Sequence, residues 1–412
     1  MREGWEVKPL KEVCQLISRG VSPVYRDEGG IAVLNQKCIR EHSINYDLGR
    51  RHCIVSKKVT VDKIIRVGDV LINSTGTGTL GRVAQVREQP AEPTTVDSHV
   101  TIVRPKDGVF FSDFFGYALI AIENKIQDGG EGCGGQTELA RSKLANEYHI
   151  SFPTSLPEQR RIVAILDEAF EGIATAKANA EKNLQNAREV FESHLNAVFR
   201  NGEESGWPKK TLREVAKEFG RGKSKHRPRN DPVLYGGSYP FIQTGDVRNA
   251  NHLITEFTQT YSSAGLAQSK LWPKGTLCIT IAANIAETGV LAFDACFPDS
   301  VIGVVVDESK TTSKYLEYML GSVRDNLKEK GKGSAQDNIN LATFERELFP
   351  FPDLKTQSGI VELLDNLSDA VYQLENLFSL KMRTLDELKG SLLHKAFSGE
   401  LNHNNVETMA SV

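Results

Sequence analysis

The 412-residue chain lacks most of the features that classify a protein at a glance. Its six cysteines, at 14, 38, 53, 133, 278 and 296, include no C-x-x-C pair. That spacing argues against a zinc ribbon or a disulfide framework and for free thiols in a reducing compartment. No stretch approaches 18 uninterrupted apolar residues, and the N-terminal Met-Arg-Glu-Gly-Trp has no apolar signal core. No membrane association is expected, and the cytoplasm is the expected location. Charge of one sign is not in excess either: 50 Lys and Arg stand against 53 Asp and Glu, a net charge of −3. Any contact with nucleic acid must therefore come from local basic patches or a basic partner, not from a global field.

Catalytic signatures are missing too. There is no H-E-x-x-H, no G-x-S-x-G, and no Asn-Pro-Pro-Tyr stretch of the amino-methyltransferase type. Gly222-Lys223-Ser224 is similar to the end of a P-loop, but Lys217 stands where its first glycine belongs. His42, His52 and Cys53 fit no standard zinc spacing. No metal and no cofactor are expected. Gly76-Thr-Gly78-Thr-Leu-Gly81 does fit G-x-G-x-x-G, but a dinucleotide loop needs a helix opening at its third glycine. Here Arg82-Val-Ala-Gln-Val-Arg87 follows with no apolar stripe at helical spacing, so a glycine-rich connection between two strands is expected.

What the chain does contain is an internal repeat. Gly, Trp, Leu, Glu and Val of GWEVKPLKEV (4–13) recur in GWPKKTLREV (206–215), and Arg19-Gly20 recurs as Arg221-Gly222, both at an offset of 202. GDVLINS (68–74) matches KGTLCIT (274–280), and Asp97-Ser98 matches Asp299-Ser300. In LPEQRRIVAILDEAF (156–170) and LKTQSGIVELLDNLS (354–368), Gln159, Ile162, Val163, Leu166 and Asp167 recur as Gln357, Ile360, Val361, Leu364 and Asp365 at an offset of 198. A period near 200 is too long for a solenoid and reads as one duplicated domain-plus-helix unit.

Each unit opens with about 150 residues of short β-like runs and short helices, an α+β mixture, and closes on a long helix. The first helix is predicted from Pro157 to about Phe199 with a stop near Gly202, the second from about Thr356 to Phe397 with a stop at Gly399. About 40 residues make a rod of roughly 60 Å, longer than a 150-residue globule is wide. The seam of the first is Ile162, Leu166, Ala169, Ile173, Ala176, Ala180, Ala187, Val190 and His194. That of the second is Ile360, Leu364, Leu367, Val371, Leu374, Phe378, Leu385, Leu388 and Leu392. Steps of three and four sustained this long indicate a coiled coil, with Asn183 and Lys381 as polar seam residues that fix register. The expected fold is α+β: two globular domains separated by two long antiparallel helices, a dumbbell with approximate twofold symmetry. The expected boundaries are 1–155, 156–202 (helix), 203–353, 354–401 (helix) and a flexible tail, 402–412.

The loop RGKSKHRPRN (221–230) supplies Arg221, Lys223, Lys225, Arg227 and Arg229, side chains able to neutralise phosphates and, for arginine, to read guanine. Its counterpart RGVSPVYRDEGG (19–30) differs, with Arg19, Tyr25 and Arg26 beside Asp27 and Glu28. Two equivalent loops of unlike chemistry suit two different half-site readers.

The combination resembles the specificity subunit of type I restriction-modification systems. The resemblance spans the chain. It is carried by GDVLINSTGTGTLGRVA (68–84), LPEQRRIVAILD (156–167), GSAQDNIN (333–340) and LLHKAFSGEL (392–401). The second unit departs from it with IAANIAETGV (281–290) and Gln357-Ser-Gly. The resemblance implies a non-catalytic subunit with two target-recognition domains, each reading one half of a bipartite site in double-stranded DNA. It implies that the paired helices act as a ruler and dock two methyltransferase subunits, and that endonuclease–translocase subunits complete the assembly. S-adenosylmethionine and ATP chemistry then belong to those partners. On this reading Thr75, Thr77, Thr79 and Arg82 of the glycine-rich loop, and Gln243 and Thr244, join the candidate DNA contacts. Gln136-Thr137 and Gln336-Asp337-Asn338, near the domain–helix junctions, fit DNA, a methyltransferase or a capped turn equally. A structural coiled-coil spacer between protein partners is the alternative. A self-contained enzyme would need an acid cluster or metal site that the sequence does not offer.

Overall fold

A computed structural model describes residues 3–131, 137–226, 228–282, 285–331 and 341–401. The chain divides into two compact units, residues 1–180 with 380–412, and residues 181–379.

In the first unit the main antiparallel sheet runs in the order Cys14–Arg19, Val100–Pro105, Val70–Asn73, Val83–Gln85. Side chains alternate across a strand, so Val70 and Ile72 enter a core with Phe114, Leu119 and Leu166, while Leu71 enters another with Leu34, Ile39 and Val96. Both faces are covered, which is why Val-Leu-Ile is apolar without a break. A short ribbon pairs Trp5–Pro9 with His149–Pro153. A second four-stranded sheet orders Thr94–Val96, Ile31–Leu34, Arg50–His52 and Tyr25–Arg26, the last on its edge.

The second unit repeats the frame. Its sheet runs Ala216–Arg221, Val301–Val306, Leu277–Thr280, Thr288–Leu291, and adds the parallel strand Leu253–Ile254. Leu277 and Ile279 face one core and Cys278 the other. Lys209–Lys210 pairs with Phe349–Pro350, as the N-terminal ribbon does in the first unit. The outer layer is different: the pair Tyr235–Phe241 and Gln259–Tyr261 stands in place of a four-stranded sheet.

The repeated residues are the ones that hold this frame. A Cβ on Gly20 would lie 1.9 Å from the Val96 carbonyl oxygen, and one on Gly222 2.1 Å from that of Phe297. Only glycine lets those backbones meet. Gln159, fully buried, donates to the carbonyls of Val109 and Pro153 and accepts from the Phe111 amide at 2.7 Å. Gln357, 1% exposed, donates to the carbonyls of Lys310 and Pro352 and accepts from the Thr311 hydroxyl at 2.9 Å. The glutamine recurs because each bolts a long helix to its own domain.

The long helices span Leu156–Glu204 and Leu354–Ser398. The Asp353 carboxylate caps the second by accepting from the Thr356 amide at 2.9 Å. The first does not stop at Gly202. That glycine is buried under Trp207, whose ring a Cβ would meet at 2.3 Å. The stop is Gly206 (φ +75°): its amide bonds Glu203 and the Trp207 amide bonds Gly202, a Schellman closure. Gly399 (φ +80°) ends the second helix, with the Glu400 amide on the Lys395 carbonyl.

The two helices run antiparallel within each unit. In the first, Lys177 stands 2.8 Å from Asp386, and Arg161 donates to the Leu401 carbonyl. In the second, Arg188 stands 2.6 Å from Glu375, and Leu195 and Phe199 share a core with Ile360 and Leu364. Ile162, Leu166, Ile173, Ala180, Ile360, Leu364 and Leu392 are buried, and Ala187, Val371, Phe378 and Leu385 are half-buried. Leu374 is 40% exposed. The seam differs from the expected one in other places. Val190 is 58% exposed and His194 is exposed, while Phe191, Leu195 and Phe199 turn inward. A straight helix repeats every 3.6 residues, so a strict 3.5 pattern drifts off the contact face over several turns. Asn183 and Lys381 are exposed rather than set in the seam; the ion pairs Lys177–Asp386 and Arg188–Glu375 lie to either side of them.

Candidate nucleic-acid interface

The glycine-rich loop 74–82 joins the antiparallel strands Val70–Asn73 and Val83–Gln85, and no helix opens at Gly81. Gly76, Gly78 and Gly81 all have positive φ, as a tight reversal requires. Its candidate contacts are largely occupied. The Thr75 hydroxyl pairs with His99 at 2.8 Å and accepts from Gln36 at 2.5 Å. The Thr79 hydroxyl donates to the Thr75 carbonyl, and Arg82 to that of Gly78 at 2.9 Å. Thr77 stands exposed at the tip.

In the loop 19–30, Arg19 is engaged by Glu138 at 2.6 Å and by the Leu139 carbonyl at 2.9 Å. Tyr25 and Arg26 lie exposed on the edge strand, paired with Arg50–His52. Beneath them His52 is fully buried: its Nδ1 accepts from the Val24 amide at 3.0 Å and its Nε2 donates to the Lys57 carbonyl at 2.9 Å. The same turn carries Cys53, whose thiol is lowered to about 7, first by its hydrogen bond with the Ser56 side chain.

The loop 221–230 is also partly internal. Arg221 donates to the Asp299 carbonyl at 2.6 Å, and Arg229 pairs with the Asp299 carboxylate at 2.9 Å. The amides of Lys225 and His226 share the Gln268 side-chain oxygen, which fixes the loop. Lys223 and Lys225 leave their ammonium groups exposed. Gln243 and Thr244 begin the helix Thr244–Asn249, where the Gln243 amide donates to Asp246 at 2.8 Å. Arg227, Gln136 and Gln336-Asp337-Asn338 lie outside the described residues. The Thr137 carbonyl accepts from the Gly76 amide.

Each unit also holds a cleft beside a left-handed histidine. In the first, about 470 Å³ are lined by His42, Arg87, Tyr117 and Phe170, with His42 2.6 Å from Glu123. In the second, about 780 Å³ are lined by Phe191, Arg248, His252, Glu317 and Arg324, with His252 3.2 Å from Glu317. Sequence reading singled out neither cleft. Among the described residues no group of three His, Cys, Asp or Glu is placed to hold a metal ion, and no helix is long and apolar enough to cross a membrane.

A duplicated α+β frame with unlike basic loops and two long helices defines a class of modular specificity proteins. Residues 2–185 and 204–378 each match the family model for the type I restriction modification DNA specificity domain, and the chain belongs to that family as a specificity subunit. It is 20% identical over 391 residues to the protein described as the type I restriction enzyme MjaX specificity subunit of Methanocaldococcus jannaschii, covering 90% of this chain and 88% of that protein. Among solved structures, a chain from a study of complex assembly and conformational transition in a type I R-M system superposes with a TM-score of 0.77 at 19% identity, over 97% of this chain and 99% of that one. The HsdS subunit from Thermoanaerobacter tengcongensis superposes at 0.59, also with 19% identity, over 97% and 98%.

Proposed function

We propose that each unit's α+β domain reads one half of a bipartite site in double-stranded DNA, while the paired helices set the gap between the halves. The observation that carries this reading is the contrast within the repeat. The sheet order, the anchoring glutamines and the buried glycines recur, whereas the loops 19–30 and 221–230 and the layers beside them do not. An identical frame with different surfaces suits two readers of different sequences.

Two methyltransferase subunits dock on the helices and recognition domains, and endonuclease–translocase subunits join them. Exposed Leu363, Tyr372, Leu377 and Leu380, each between 47 and 57% accessible, give the C-terminal helix apolar surface for such docking. The chain itself performs no chemistry in this reading; S-adenosylmethionine and ATP are used by the partners, in the cytoplasm.

The test is co-expression with the methyltransferase, followed by genome-wide mapping of methylated adenines. A two-part motif is expected. Inserting a heptad into both helices should lengthen the gap and leave both half-sequences as they were. An unchanged gap sinks the ruler, and DNA binding unaffected by neutralising the basic loops would favour a spacer between protein partners.

A further inference from the structure

In the first unit's second sheet, the strand next to the edge carries an arginine stacked closely on a tyrosine. Arg50 opens the strand beside Tyr25–Arg26, and its guanidinium carbon lies 3.5 Å from the centroid of the Tyr25 ring. Both residues are exposed, Tyr25 to 39%. The neighbouring Arg51 is held by Glu92 and the carbonyls of Gly29 and Gly30. Arg19, Arg82, Arg221 and Arg229 likewise donate to acceptors of the protein itself. Among the described residues no carboxylate pairs with Arg50.

An aromatic ring orients a guanidinium without consuming it. The face rests on the π-cloud, one donor reaches the Tyr25 hydroxyl, and the other N–H donors at the rim remain available. Part of the rotamer entropy lost on binding is already given up in the free protein. The strand that presents this group is stiffened by His52, which bonds Val24 on one side and Lys57 on the other. In the major groove, O6 and N7 of guanine accept the two parallel donors of an arginine fork.

We propose that Arg50, oriented by Tyr25 as its positioning residue, reads a guanine in the major groove for the first recognition domain. This rests on the reading that the domain recognises one half of a bipartite site. The experiment uses the chain in complex with its methyltransferase and maps methylated adenines for wild type, Arg50→Lys, Arg50→Ala, Tyr25→Phe and Tyr25→Leu. Arg50→Lys should lose discrimination about tenfold or more at one base pair of one half-site. The other half should be read as before, which also reports that the complex is folded. Tyr25→Leu should reproduce the loss, and Tyr25→Phe, which keeps the ring, should restore the preference. Retention of both half-sequences in Arg50→Lys and Arg50→Ala overturns the assignment, as does an equal loss on all sequences, the mark of a phosphate contact. If the wild-type complex methylates no two-part motif, the broader reading fails and takes this one with it. An intact motif in every variant sinks Arg50 alone.

Discussion

Tyr318 donates its hydroxyl to Asp365 at 2.6 Å, tying the short helix Ser313–Ser322 to the C-terminal long helix. Burial, then the carboxylate, push the tyrosine's pKa far above its ordinary value, so it remains a donor. Tyr117 makes the equivalent bond to Asp167 at 2.5 Å in the first unit. Tyr318→Phe leaves Asp365 with Lys314, 2.7 Å away. The variant should lose about 1–3 kcal/mol of stability, as expected for a hydrogen bond to a charged group, and denaturant titration would measure it. No loss would mean that the pair is not a fastener.

The chain's glycines should divide sharply. Gly20→Ala and Gly222→Ala force a methyl into a backbone carbonyl and should each cost about 2 kcal/mol or more. Gly172, Gly359 and Gly390 lie in the long helices with open space at the Cβ position. Alanine at each should stabilise the isolated chain by up to about 1 kcal/mol. Thermal melts of the five variants check both directions.

His252 makes the second unit sensitive to pH. Its ring faces Glu317 at 3.2 Å, Ser368 at 3.4 Å and Tyr318, with Lys314 and Asp365 nearby. The Glu317 carboxylate facing the ring raises its pKa above the ordinary 6.5, against burial, which lowers it. The charged ring therefore belongs to the folded state. Its contribution is complete below the unfolded value and fades as pH rises through the higher folded one. The melting temperature of wild type relative to His252→Asn should fall across that window; a difference that grows with pH contradicts the assignment. Asparagine tolerates the positive φ of 63° found here.

Lys223 and Lys225 present exposed point charges without a planar fork. Lys223→Ala with Lys225→Ala should weaken DNA binding by the complex on every sequence. The log–log salt slope should flatten by about 2, one counterion's worth per lysine. A change of preferred sequence with an unaltered slope would instead make them base readers.

The frame was legible because its polar exceptions repeat. Gln159 and Gln357 precede the matching pairs Ile162-Val163 and Ile360-Val361 at one offset, and a buried amide held there must bond to something. The helix end was misread because Gly202 looks like a stop, whereas its missing side chain makes room for Trp207. Which cations are free was not legible at all. Arg19 is engaged by a carbonyl 120 residues away and Arg221 by one 78 residues away, pairings that only the folded chain creates. Arg50 escaped notice because Arg-Arg-His has no apolar alternation to mark it as a strand. The outer sheet of the first unit, built from strands of two to four residues, is set by distant partners rather than by local propensity.

In the second unit the Schellman closure at Gly206 leads directly into Pro208, whose carbonyl takes the Phe351 amide at 2.7 Å. Lys209–Lys210 then pairs with Phe349–Pro350, and Asp353 starts the next long helix. The end of one rod and the beginning of the other thus share a corner with no slack linker between them. Torque on the end of the first rod therefore passes through that corner of the second unit into the first turn of the next, with no free joint between them to absorb it.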